Sequence, residues 1–200
     1  MDKAVKFQPF VVGIGGTTRA GSSTEKALNY LGHQVERLGG RWTMFAGPQL
    51  LFPTYSLDHA VREPTAQKMV EAMRTCDAMV IASPGYHGSF SGLIKNALDY
   101  AEDLHDDPRP YLSGRAVGCI AAGLGWQAIG TTLANLRTVV HALGAWPTPM
   151  GVAMNTAQKV FGDSGEVVNP EVREELDTLA SQLVEFSLMR HAYMAKSASG

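Results

Sequence analysis

Apolar residues in this 200-residue chain recur in two alternating rhythms. Short runs such as Phe10-Val11-Val12-Gly13-Ile14-Gly15 and Ala78-Met79-Val80-Ile81-Ala82 have the length and composition of buried strands. Between them Ala27, Leu28, Leu31, Val35 and Leu38 repeat at helical spacing and stop at Gly39-Gly40. The same reading predicts strands near 10–15, 41–46, 78–83, 116–122 and 146–153, and helices near 23–38, 64–75, 90–103, 126–143 and 170–194. Strict alternation of this kind implies an α/β chain with a parallel sheet covered by helices on both faces. Asp103–Pro110 reads as a surface loop. Gly162-Asp163-Ser164-Gly165 marks a turn inside Asn155–Asn169, either a small hairpin or a flexible cover. The expectation is one domain over residues 1–200, with 1–8 and 196–200 as frayed ends.

Composition narrows the function classes. Hydrophobic residues make up 45% and charged residues 18%, a globular balance, and the net charge of −2 offers no general attraction to nucleic acid or anionic lipid. No apolar run approaches a membrane span, and the amino terminus has no signal-peptide core. The expected compartment is the cytoplasm, with neither nucleic acid nor membrane as a partner. Cys76 and Cys119 are too far apart for a close redox pair and read as small core residues. His33, His59, His87, His105, His141 and His191 are scattered, without the spacing of a helical zinc pair, so no metal site is expected.

Two loops carry candidate chemistry. Gly16-Thr17-Thr18-Arg19-Ala20-Gly21-Ser22-Ser23-Thr24 joins the first strand to the first helix. Free N–H groups and the positive dipole end of that helix suit an anion. Hydroxyls of Thr17, Ser22, Ser23 and Thr24 and the Arg19 guanidinium fit a phosphate monoester. A P-loop is excluded because no lysine stands at the loop's end, and a dinucleotide fingerprint because the third glycine and the acid after the second strand are missing. Ser22-x-x-Glu25 equally fits a capping box that needs no ligand. The second loop, Pro84-Gly85-Tyr86-His87-Gly88-Ser89, follows the third strand and offers uncrowded main-chain N–H groups beside a flat aromatic, a surface suited to a planar heterocycle. Its plain alternative is Pro and Gly punctuating a turn. In a sheet of order 2-1-3-4-5 the first and third strands are neighbours, and the switch point between them is where a mononucleotide binds.

These motifs resemble those of the NADPH-dependent FMN reductase family. Its first loop reads roughly Gly-Ser-x-Arg-x-x-Ser-x-Asn, here with Thr17 for Ser and Thr24 for Asn. Its second signature, roughly Pro-x-Tyr-Asn-Gly-Ser-x-x-Gly-x-Leu-Lys-Asn-Ala-x-Asp, is matched by Pro84 through Asp99. His87 stands for Asn, Ile94 for Leu, and Gly85 where Glu is usual. Pro53-Thr54-Tyr55 sits where the family often has a loop near the flavin, and Leu136–Ala145 matches the helix that closes with Leu-Gly-Ala, so the resemblance covers about residues 10 to 150. The fourth loop, Gly123-Leu124-Gly125-Trp126-Gln127, departs from the family's Gly-Gly pair and small residues, at a place that bears on nicotinamide access and substrate choice.

The resemblance implies a flavodoxin-like three-layer α/β/α sandwich with a five-stranded parallel sheet, and FMN with NADPH or NADH as its redox partners. Cofactor contacts carried over by motif are Thr17, Arg19, Ser22, Ser23, Thr24, Pro84, Gly85, Tyr86, His87, Gly88, Ser89, Gly123 and Gly125. No side chain is expected to be catalytic, because the flavin carries the hydride chemistry. Tyr86 either flanks the ring or packs in the core; His87 either bonds the flavin or caps an exposed turn. Lys95, Asn96 and Asp99 read as helix surface and packing. The implied reaction is hydride transfer from NADPH to FMN, with a small-molecule electron acceptor or a flavin-dependent monooxygenase downstream. The alternatives are a quinone, azo or chromate-type reductase and a non-enzymatic electron carrier; the near-balanced charge argues against the carrier. Relatives imply a homodimer or homotetramer, and the apolar helix around Leu93, Ile94, Ala97, Leu98, Tyr100 and Ala101 is either its contact surface or buried core.

Overall fold

Five parallel strands form the centre of the protein in the order β2-β1-β3-β5-β6: β1 (Phe10–Gly15), β2 (Arg41–Ala46), β3 (Ala78–Tyr86), β5 (Ala116–Gly123) and β6 (Trp146–Asn155). β4 (Ser89–Phe90) folds back antiparallel on the end of β3. The computed structural model describes residues 7–58 and 61–198, so His59 lies outside the described residues. Counting only the five parallel strands, this is the order 2-1-3-4-5.

The helices are α1 (Ser23–Arg37), α2 (Pro64–Thr75), α3 (Gly92–Asp99), α4 (Trp126–Ala142) and α5 (Pro170–Ser197). Strand side chains alternate between faces. Val12, Ile14, Met79, Ile81, Val117 and Cys119 pack with α2, α3 and α4. Val11, Val80, Ala82, Ile120, Val152 and Met154 pack with α1 and α5. The outer edge strand β6 carries Pro147 and Pro149, which cannot donate to a neighbouring strand and so discourage edge-to-edge pairing. Against α1, Gly32 makes room for Trp42: a Cβ there would stand 2.4 Å from the indole Nε1.

Three departures from the sequence reading have local causes. The expected helix over 90–103 starts late, because His87 and Gly88 turn the chain with positive φ (50° and 87°) into β4, and Ser91 then caps α3. Beyond Asp99 it tightens into a 3-10 turn, Tyr100–Leu104. Its apolar side chains are spent inside the protein: Ile94, Ala97, Leu98, Tyr100 and Ala101 belong to the core, so burial accounts for them without a subunit contact. Asp103, expected in a surface loop, is held in a side-chain cluster with Arg62 and Tyr55. Phe7 stacks on His191 at a ring separation of 3.8 Å, and α5 is helical through Ser197. The segment after β6 forms the small hairpin, bridged at Phe161 and Val167.

Arg115 is a charge the sequence did not single out. It is fully buried, and its guanidinium donates to the main-chain oxygens of Tyr111, Ser113 and Arg74. These bonds tie the chain before β5 to the last turn of α2.

Candidate active site

The carboxyl ends of β1, β3 and β5 open onto a cavity of about 500 Å³, in the size range of small-molecule and cofactor sites. Ten of the thirteen expected contact residues line it: Thr17, Arg19, Ser22, Ser23, Thr24, Pro84, Gly85, Tyr86, Gly123 and Gly125.

On the α1 side, Ser22 caps the helix through the Glu25 N–H (3.4 Å) and shares a 3.2 Å contact with Thr24 Oγ1. Glu25 Oε2 accepts the Gly21 N–H at 2.9 Å, one residue ahead of the cap. The capping contact is thus present, but Glu25 does not line the cavity, which leaves room for an anion at the helix end. Arg19 is exposed there, and neither its guanidinium nor the Ser23 hydroxyl has a protein partner among the described residues. These are the donors a phosphate needs, in a positive helix-end field. Across the cavity, α4 begins at Gly125 with no side-chain cap and no acidic residue in its first turn, so a second helix amino end faces the same space. The donor set fits FMN on both counts, phosphate and polar ring edges.

On the β3 side, Gly85 is required by packing. A Cβ there would lie 2.7 Å from Thr132 Oγ1 and 3.3 Å from the Ala128 carbonyl oxygen of α4. Thr132 is buried, with no hydrogen-bond partner for its hydroxyl among the described residues. Tyr86 is 53% exposed on the cavity wall, so it is not packed in the core.

His87, Gly88 and Ser89 are not on the wall. The chain turns away after Tyr86, and Asn135 Nδ2 holds the turn to α4 by donating to the Gly88 carbonyl (3.1 Å) and Ser89 Oγ (3.2 Å). The positive φ explains the residue type at position 87: left-handed backbone tolerates Asn and His better than most side chains. Pro53 and Tyr55 also stand off the cavity, tied to α3 by the Tyr55 N–H to Asn96 Oδ1 (2.9 Å) and by Asn96 Nδ2 to the Pro53 oxygen (3.1 Å). Asn96 is therefore a packing residue. Lys95 and Asp99 pair with each other on the exposed helix face.

Four wall residues were not among the expected contacts: Ala122, Leu124, Ala128 and Thr156. Thr156 donates its N–H (2.8 Å) and hydroxyl (3.0 Å) to the Gly123 carbonyl, fixing the β5 loop from the chain after β6. Only the turn expected after β6 hinted at it. Among the described residues no three His, Cys, Asp or Glu side chains are grouped to hold a metal, and no helix is long and apolar enough to cross a membrane. Burial pushes the Cys76 thiol up to about 11 and the Cys119 thiol up to about 12, so both stay protonated core groups at neutral pH.

Sheet order and cavity position together define a flavodoxin-like flavoprotein fold. A solved structure of the flavoenzyme NAD(P)H:(acceptor) oxidoreductase of Paracoccus denitrificans superimposes with a TM-score of 0.74 at 20% identity, covering 91% of this chain and 98% of that one. Residues 9–159 match the NADPH-dependent FMN reductase family, and the chain belongs to it. It is accordingly an oxidoreductase of the FMN and NAD(P)H class. An NAD(P)H-dependent FMN reductase of Pseudomonas aeruginosa is 28% identical over 168 residues, 82% of this chain and 87% of the relative. A quinone reductase of Escherichia coli is 30% identical over 141 residues, 67% of this chain and 71% of the relative.

Proposed function

We propose that the cavity between the Thr17–Thr24 loop, Pro84–Tyr86 and Gly123–Gly125 holds FMN for reduction by NAD(P)H, and that the electrons pass to a small planar acceptor at the same mouth. The observation that carries this reading is the convergence of two helix amino ends, the Arg19 guanidinium and the Ser22–Thr24 hydroxyls, of which Ser23 has no partner among the described residues, on one cavity at the sheet's switch point. FMN supplies the redox chemistry there: its ring takes a hydride equivalent from a nicotinamide and yields electrons to an acceptor.

The chain's own residues bind and orient. Arg19, Ser22, Ser23 and Thr24 hold the phosphate; Pro84, Gly85 and Tyr86 bound one side of the ring, and Gly123 and Gly125 the other. Three exposed apolar side chains stand near the mouth: Tyr86 (53%) at the end of β3, Leu124 (79%) on the β5 loop and Trp126 (58%) at the start of α4. Such a rim favours a flat aromatic acceptor meeting bound flavin over release of reduced flavin to a monooxygenase. The protein acts in the cytoplasm in this reading, and self-association, if it occurs, uses a surface other than the buried face of α3.

The test is anaerobic addition of NADPH, then NADH, to the FMN-loaded protein while the visible flavin absorbance is followed. Bleaching, and recovery on adding a benzoquinone, is the expected outcome. A flavin that binds but bleaches with neither nucleotide overturns the assignment of the donor. Bleaching that only excess free FMN reverses overturns the planar acceptor.

A further inference from the structure

The opposite, amino edge of the sheet carries a second concentration of charge. Residues just before β3 and β5 meet the end of α5 around a cavity of about 190 Å³, whose wall includes Asp77, Arg109 and Arg190. Arg109 donates Nε to the Ser113 oxygen (3.0 Å) and Nη2 to the Cys76 oxygen (2.7 Å), which uses part of its five-donor fork. Arg115 lies buried beside it, bonded to carbonyls only, with Nε unpartnered. Arg190 reaches over the Gly114 backbone so closely that a Cβ there would stand 2.4 Å from its Nη2. Among the described residues no carboxylate forms an ion pair with any of the three. The carboxylate on the wall, Asp77, accepts the Phe10 N–H at 2.8 Å.

Two guanidinium charges on the wall, with Arg115 buried beside Arg109, thus stand against one wall carboxylate. Packing accounts for Arg115 and for the bonded half of Arg109, both of which stitch the 109–115 segment to the end of α2. It does not account for Arg190, a further like charge brought up to the pocket with no acceptor among the described residues. Burial first, then repulsion from Arg115, outweighs the attraction of Asp77 and makes the Arg109 cation easier to deprotonate than usual, with Arg190 adding a weaker push in the same direction.

We propose that this pocket is an oxyanion site, in which a phosphate-type dianion is held between Arg109 and Arg190. Guanidinium forks match phosphate oxygens in pairs, and the dianion neutralises the two uncompensated charges. The site is distinct from the FMN cavity, at the other edge of the sheet. Its ligand is either inorganic phosphate or the phosphate of a small phosphomonoester.

The test uses FMN-saturated protein, so that the α1 cavity is already filled, and titrates potassium phosphate calorimetrically against a chloride background of equal ionic strength. Saturable binding is expected, weakened about tenfold or more in Arg190→Gln, the loss of one charge-assisted pair. Arg190→Lys keeps the charge without the fork, is expected to fall between, and serves if the Gln variant does not fold. Adenosine monophosphate forms the second arm: tighter binding than phosphate assigns a phosphomonoester, equal or weaker binding assigns the free ion. Absence of saturable heat from both ligands, or affinity unchanged in both Arg190 variants, overturns the proposal.

Discussion

Arg62 and Asp103 meet through two parallel hydrogen bonds, Nε to Oδ2 at 2.9 Å and Nη2 to Oδ1 at 2.7 Å. The Tyr55 hydroxyl donates to the same carboxylate at 3.0 Å, and the Arg62 guanidinium lies 4.5 Å from the Tyr55 ring centroid. Together they fasten the chain between β2 and α2 onto the turn after α3. Both side chains are less than a quarter exposed, so the pair is screened less than a surface ion pair.

The bond from Arg62, and after it the bond from Tyr55, holds the Asp103 carboxyl below its usual range against the opposing pull of burial. A carboxyl made more acidic by folding stabilises the protein above its unfolded pKa of about 3.9, and the stability drains away as pH falls through the lower folded value. Asp103→Asn is expected to cost about 1–3 kcal/mol at neutral pH. Urea denaturation at neutral pH and near about pH 3 checks it: the gap between wild type and variant should shrink in acid.

Gly85 and Thr132 make a sharper steric case. Gly85→Ala places a methyl 2.7 Å from Thr132 Oγ1, and overpacking of this order costs about 1–3 kcal/mol. Removing the hydroxyl with Thr132→Ala should return part of that loss, because the two residues are in contact and their effects are not additive. A double-mutant cycle read by denaturation, with FMN affinity followed in parallel, measures the coupling. A coupling of zero would show that α4 and β3 adjust independently.

The His87-Gly88 turn isolates backbone conformation from cofactor contact. His87→Asn keeps a residue tolerant of positive φ and should leave stability within about 0.5 kcal/mol, whereas His87→Val puts a β-branched side chain there and should cost about 1–2 kcal/mol. Because His87 is off the cavity wall, His87→Asn should not change FMN affinity. A large loss of affinity in His87→Asn would return the imidazole to the cofactor.

What the chain disclosed before folding follows from the range of the interactions. β1, β3 and the α1 loop were legible because strand periodicity and the Thr17–Thr24 inventory are local. The positive φ at His87 was also in reach, since Tyr86-His87-Gly88-Ser89 is a two-residue turn with a glycine in second place. Thr156 was not, because its bonds go to Gly123 across the edge of the sheet, and no spacing records that meeting. Arg62 with Asp103 and Arg109 with the Cys76 carbonyl are of the same kind: long-range pairs whose charged members look like ordinary surface residues until the helices pack. Helix α3 stayed open between two readings for a different reason, since an apolar stripe reads the same whether the protein's own core or a second subunit covers it.

Arg19 is the side chain on which the phosphate assignment can be tried without disturbing the fold. It is exposed, lies on the cavity wall, and its main-chain N–H, not its guanidinium, makes the loop bond to Thr17 Oγ1 at 3.2 Å. Arg19→Ala should therefore leave the melting temperature of the apoprotein unchanged while raising the Kd for FMN about tenfold, the worth of one charge-assisted pair. Riboflavin separates charge from stacking in the same fluorescence titration. It lacks the phosphate, so wild type and Arg19→Ala should bind it alike. If the variant loses affinity for riboflavin by the same factor as for FMN, Arg19 acts on the ring or on loop shape, and the phosphate belongs to the Ser22–Thr24 end of α1 alone.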